Sequence, residues 1–111
     1  MNATLIQLLL VEDNPGDAFL IQDMLKQIHS PKIKLIHVER LEDAMQHLSK
    51  DPVDAILLDL SLPDSHGLDT LLSLQDHMPT LPIIILTGTN DQEIAIYAVQ
   101  QGAQDYLVKG H

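Results

Sequence analysis

An apolar run, Ala55-Ile56-Leu57-Leu58, climbs to a single carboxylate at Asp59, and the chain then breaks at Pro63. The run contains no polar residue, so it reads as a strand buried on both faces. An ionised carboxylate cannot continue that burial unpaired, because its desolvation costs too much. Asp59 must therefore emerge at the strand's end, into a site. Three other apolar runs end in a similar way. Leu5 to Val11 stops at Glu12-Asp13, Ile83 to Leu86 stops at Thr87, and Asp105 to Val108 stops at Lys109. Brought to one place, these ends supply three carboxylates, a hydroxyl and an ammonium. Carboxylates that close oppose one another's ionisation unless a cation intervenes. An all-oxygen acidic site suits Mg²⁺, which binds through a few carboxylates and keeps its waters. Beside such an ion Asp59 can stay charged and act as a nucleophile.

The ends meet only if the strands lie parallel, and the segments between them supply the helices that parallel strands need. Asn14 suits an N-cap, Pro15 the first helical position, and Asp17 the positive end of the helix dipole. Ile21, Met24, Leu25 and Ile28 follow at helical spacing and Pro31 closes the segment. Ile33 to Val38 alternates as a second strand. Leu41, Ala44, Met45 and Leu48 mark a second amphipathic helix, closed by Pro52. Gly67 precedes a third helix with Leu68, Leu71, Leu72 and Met78 expected to face inward. After Ile83 to Thr87, Asn90 and Glu93 resemble a capping box. Ile94, Ala95, Ala98 and Val99 are expected on the inner face of that fourth helix, with Gly102 as its C′ residue. Strict alternation of strand and helix predicts one doubly wound α/β domain over residues 1–111, a five-stranded parallel sheet of order 2-1-3-4-5. Ligands of such a sheet bind at strand C-termini near its switch point, between the first and third strands.

Composition narrows the function. Six Lys and Arg stand against sixteen Asp and Glu, a net charge of -10. That field repels a phosphate polymer, which argues against direct nucleic-acid binding by this segment. It attracts a divalent cation. After Lys50 the only Lys or Arg is Lys109, so an isolated cation there is expected to pair with acids. No apolar run approaches the ~20 residues of a membrane helix. Cysteine is absent, which excludes disulfides and thiolate metal sites and fits a cytoplasmic protein. The six histidines share no metal-ligand spacing and read as surface or loop residues, His66 lying in the loop after Asp59. Neither Gly-x-Gly-x-x-Gly nor Gly-x-x-x-x-Gly-Lys is present, so no nucleotide-loop fingerprint applies.

Val11-Glu12-Asp13, Leu57-Leu58-Asp59 with Pro63 and Gly67, Leu86-Thr87-Gly88, and Asp105-Tyr106-Leu107-Val108-Lys109 follow in order along nearly the whole chain. In this the sequence resembles the response-regulator receiver domain of two-component signalling, with its flavodoxin-like fold. The resemblance implies that Asp59 accepts a phosphoryl group from a sensor histidine kinase or histidine phosphotransfer protein. It implies Mg²⁺ (or Mn²⁺) on Asp13, Asp59 and the Ser61 backbone carbonyl, with Glu12 acting mainly through metal-bound water. Lys109 and Thr87 would each hold a phosphate oxygen, and Tyr106 would reorient as Thr87 moves, reshaping a surface for an output domain or partner. Such a protein is a signalling phosphoacceptor and catalyses only its own phosphorylation and dephosphorylation.

Taken singly, these residues have plainer readings: Asp13 a helix-terminal acid, Thr87 a strand end, Tyr106 packing, Lys109 a solvated lysine. Their conjunction favours the site. An aspartate-nucleophile phosphatase would carry Asp-x-Asp, whereas Ser61 stands two after Asp59, and the chain has no room for a cap insertion. A phosphorylation-independent module on the same fold would lose the acids, the acceptor or the lysine, and all are kept. Two departures from the family remain. Gly110 follows the lysine where proline is common, and a trans Lys109–Gly110 peptide is expected because a non-proline cis bond costs about 2.5–4 kcal/mol. A final fifth helix is missing from the chain. The first helix would then cover one sheet face alone, leaving half of Ile83 to Leu86 and Leu107 or Val108 bare and the segment open to self-association.

Overall fold

The computed structural model describes residues 5–109. Along them run β1 (Leu5–Val11), α1 (Pro15–Lys26), β2 (Lys32–Val38), α2 (Leu41–Lys50), β3 (Ala55–Asp59), β4 (Ser61–Leu62), β5 (Ser65–His66), α3 (Leu68–His77), β6 (Ile83–Thr87), α4 (Gln92–Gln100) and β7 (Asp105–Val108). Five of the strands form a parallel sheet in the order β2-β1-β3-β6-β7. Numbered along the chain within that sheet, the order is the expected 2-1-3-4-5. The register aligns the strand ends. Val11 lies beside Val38 and Leu58, Asp59 beside Leu86, and Thr87 beside Val108. Glu12, Asp59, Thr87 and Lys109 thereby reach one edge.

Strand alternation divides the core in two. Leu9, Val11, Ile56, Leu58, Ile83 and Ile85 face one layer, where they pack with Ala44 and Leu48 of α2, Leu71 and Leu74 of α3, and Ala95 and Ala98 of α4. Leu10, Leu57 and Leu86 face the other, with Ala18 of α1 and the half-buried Leu8, Ile21, Leu25, Leu35 and Ile84. Full burial of a leucine contributes roughly 1.5–3 kcal/mol, so the first layer carries most of the stability. On the thinner side Leu107, beside Leu86 in the register, is 52 % exposed, as expected of a face covered by α1, while Val108 points to the opposite face. Leu86 departs from that expectation. It is buried because it joins the cluster around Ala18.

Local signals held where a side chain closes the turn. Asn14 Oδ1 accepts a hydrogen bond from the Asp17 amide at 3.0 Å, and Pro15 opens α1. Gly67, at φ 66°, precedes α3, and Gly102, at φ 116°, ends α4. A side chain at either position would be strained. Other expectations are corrected. The stretch after β6 is not a capping box: Thr89–Asp91 forms a 3-10 turn, and Asp91 precedes α4 without a side-chain cap. Met24, Ile28, Leu72 and Ile94 are exposed, not inward-facing. Ile28 lies beyond the end of α1, and the buried stripes of α1, α3 and α4 are narrower than the apolar spacing suggests. The Lys109–Gly110 peptide lies outside the described residues.

Candidate functional site

Four of the five strands of the sheet deliver a polar group to this edge. Glu12 follows β1 and is fully buried, Asp59 ends β3, Thr87 ends β6, and Lys109 follows β7. Lys109 is tied to its neighbour strand by its amide, which donates to the Thr87 carbonyl at 2.7 Å. Its ammonium donates to Glu12 Oε1 at 2.9 Å, Asp17 Oδ2 at 2.9 Å and Asp59 Oδ2 at 3.0 Å. Among the described residues, every salt bridge converges on this one lysine.

The remaining carboxylate oxygens are held by backbone. The Ser61 amide donates to Asp59 Oδ1 at 2.9 Å, and the Asn14 amide to Glu12 Oε2 at 3.1 Å. Glu12, Asp13 and Asp59 each present an oxygen within 4.8 Å of the others. Three carboxylates share one ammonium, so the charges do not balance. Burial first, and then the Asp59 carboxyl, push Glu12 up to about 7, against the pull of Lys109 and the Asn14 amide. For Lys109, desolvation opposes the ammonium, but Asp17, Glu12 and Asp59 outweigh it and raise its pKa above the usual lysine value. Such a cluster is poised to take a further cation.

Asp13, Ser61, Thr87, His66 and Ile94 line the same open cleft, of about 770 Å³, as Glu12, Asp59 and Lys109. Thr87 is buried, and its hydroxyl donates to the Gly88 carbonyl at 3.2 Å. Tyr106 stands apart from the cleft, half-buried against the larger core. Asp17, assigned only to the helix dipole from sequence, proves to be a partner of Lys109. His37 is not a surface residue: it is half-buried, with Nε2 2.7 Å from the Glu12 carbonyl oxygen. His47 is also half-buried, and its Nε2 is buried without a partner. The segment after Asp59 is a small antiparallel hairpin of β4 and β5, not a plain loop.

The fold and this acidic edge define a receiver-type scaffold, and comparison with known proteins agrees. Residues 8–111 match the family model of the response regulator receiver domain. The regulatory protein LuxO of Vibrio cholerae is 34% identical over 100 residues, 90% of this chain and 21% of that protein. The receiver domain of a Luxo repressor protein from Vibrio parahaemolyticus superposes with a TM-score of 0.81 at 32% identity, over 97% of this chain and 81% of that one. A receiver domain of a Pseudomonas aeruginosa sensor histidine kinase, with magnesium coordinated in its active-site cleft, superposes at 0.78 with 29% identity, over 97% and 88%. The chain belongs to the response regulator receiver family of two-component signalling. It spans only about a fifth of the LuxO protein. Among the described residues no helix is long and apolar enough to cross a membrane.

Proposed function

We propose that this receiver domain takes a phosphoryl group onto Asp59 with the help of Mg²⁺ (or Mn²⁺) and changes conformation through Thr87 and Tyr106. The observation that carries the reading is the Lys109 ammonium held by Asp59 and Glu12 beside Asp13. The donor set is all oxygen and acidic, which fits a hard cation. Asp13, Asp59 and the Ser61 carbonyl would hold the ion, with Glu12 acting through its water. Bound there, the ion supplies neutralisation of the equatorial phosphoryl oxygens and of the crowded carboxylates.

The chain's own residues do the rest. An Asp59 oxygen attacks phosphorus in line as the bond from phosphorus to the donor's imidazole nitrogen breaks, leaving an aspartyl phosphate. Lys109 now holds Asp59 Oδ2. On transfer its ammonium follows the charge to a phosphoryl oxygen, where it stabilises the transition state. Thr87 exchanges its bond to the Gly88 carbonyl for a second phosphoryl oxygen. That contact exists in only one state, as a two-state shift requires. Tyr106, paired with Ile85 across β6 and β7, transmits the shift to the surface.

The phosphoryl donor is a sensor histidine kinase or histidine phosphotransfer protein, the setting cytoplasmic, and the recipient of the signal an output domain or partner protein. The test is incubation with acetyl phosphate, read by intact mass. One added phosphoryl group that requires Mg²⁺ and is blocked by EDTA is expected. No mass gain at millimolar Mg²⁺ would overturn the reading.

A further inference from the structure

We infer that Asp64 is a positioning residue, which holds Ser61 beside Asp59 by fastening the β4–β5 hairpin to the N-terminus of α2. The inference rests on the proposed Mg²⁺ site, to which Ser61 would contribute its carbonyl. Asp64 occupies the hairpin's tip with Pro63, between the pairs Ser61 with His66 and Leu62 with Ser65. Its two carboxylate oxygens accept from the Leu41 amide at 2.9 Å and the Glu42 amide at 3.0 Å, residues 23 and 22 positions upstream. Arg40, the N-cap residue of α2, offers those amides no side-chain acceptor. The helix is therefore capped from another segment of the chain.

A hairpin of two residue pairs has little stability of its own. Its place depends on its fastenings. Leu62 is buried in the larger core, the Gly67 amide donates to the Leu60 carbonyl at 2.6 Å, and the Ser65 hydroxyl lies 2.6 Å from that of the buried Thr70. These secure the base and the return strand. At the tip Asp64 reaches across to α2, and from there the short strand β4 leads directly to Ser61, whose amide grips Asp59 Oδ1. Desolvation opposes the charge, but the Glu42, Leu41 and Asp64 amides and the Arg40 charge together outweigh it and hold the Asp64 carboxyl below the usual aspartate range. The ionised, double-acceptor form is thus the resting one. A supporting residue of this kind fixes the direction of a metal-binding group, and its loss typically lowers metal affinity 10- to 100-fold.

A residue that merely caps α2 would destabilise the helix when lost and do nothing more. The two roles separate in a double variant. Arg40 has φ -133° and ψ 152°, the extended backbone of an N-cap residue, so Arg40→Asp can cap α2 locally. Asp64→Ala and Arg40→Asp/Asp64→Ala are compared with the full wild-type chain by Mg²⁺ titration and by amide exchange without metal. In the double variant Mg²⁺ is expected to bind about tenfold or more weakly. The Ser61 and Gly67 amides are expected to exchange faster while Ile85, in the core sheet, keeps its protection. Wild-type Mg²⁺ affinity in the double variant, or unaltered exchange at Ser61 and Gly67, would overturn the inference and leave the metal site standing. Absence of Mg²⁺ binding by the wild-type chain would instead overturn the metal site, and the exchange pattern alone would then decide the role of Asp64.

Discussion

Glu12→Gln should make the metal-free protein more stable at pH 8 and change how its stability responds to pH. Glu12 has no exposed side-chain surface and sits 2.9 Å from the Lys109 ammonium. Burial and Asp59 raise its pKa from 4.5 to about 7. A group whose folded pKa is raised binds its proton more tightly in the native state than in the unfolded one. The resulting stability is fully present below pH 4.5 and is lost as pH climbs through about 7. With about 1.36 kcal/mol per unit, the loss is about 3 kcal/mol. Glutamine keeps the shape and cannot titrate. Urea unfolding of both chains in EDTA, at steps from pH 4.5 to 8, isolates the effect, because the histidines titrate in both and cancel in the difference. The wild-type stability relative to Glu12→Gln should fall by about 3 kcal/mol over that range, on the order of 10 °C in Tm. Excess Mg²⁺ should reverse the trend, since a cation favours the deprotonated site. A difference that stays constant with pH, or grows, would show that Glu12 is not held protonated by burial.

Asp13→Ala should weaken Mg²⁺ binding by at least tenfold, because the site loses an oxygen and a charge; calorimetric titration reads this directly. Lys109→Met should slow phosphorylation by acetyl phosphate at least tenfold while Mg²⁺ affinity holds or rises, since the ammonium 3.0 Å from Asp59 competes with the metal for it. Gly102→Ala should cost about 1 kcal/mol or more in thermal or urea unfolding. The residue has φ 116°, and a Cβ would meet Gln75 Nε2 at 2.6 Å.

The sheet could be read from the sequence because its strands are buried on both faces, which leaves uninterrupted apolar runs such as Ile83 to Leu86. The same physics exposed most of the site, since Asp59 and Lys109 could not be buried where those runs end without partners. Asp17 was harder to see, because an acid in a helix's first turn already has a local explanation in the dipole. Asp64 was hidden because its partners lie in α2, and only the folded chain brings Leu41 and Glu42 to the hairpin. Met24, Leu72 and Ile94 misled because helical spacing gives the direction of an apolar stripe but not its width. Asn90 and Glu93 had the spacing of a capping box, yet the chain takes a 3-10 turn at Thr89–Asp91 first. His37 looked like a surface residue because its partner is a backbone carbonyl, which leaves no mark in the side-chain pattern.

The central claim is that Asp59 receives the phosphoryl group. After incubation with acetyl phosphate and Mg²⁺, borohydride reduction converts an aspartyl phosphate to homoserine, and peptide mass mapping locates it. Homoserine at position 59 alone, with no mass gain in Asp59→Asn, is the predicted result. Homoserine at Asp13 or any other acid in the wild-type chain, or undiminished labelling of Asp59→Asn, would contradict it.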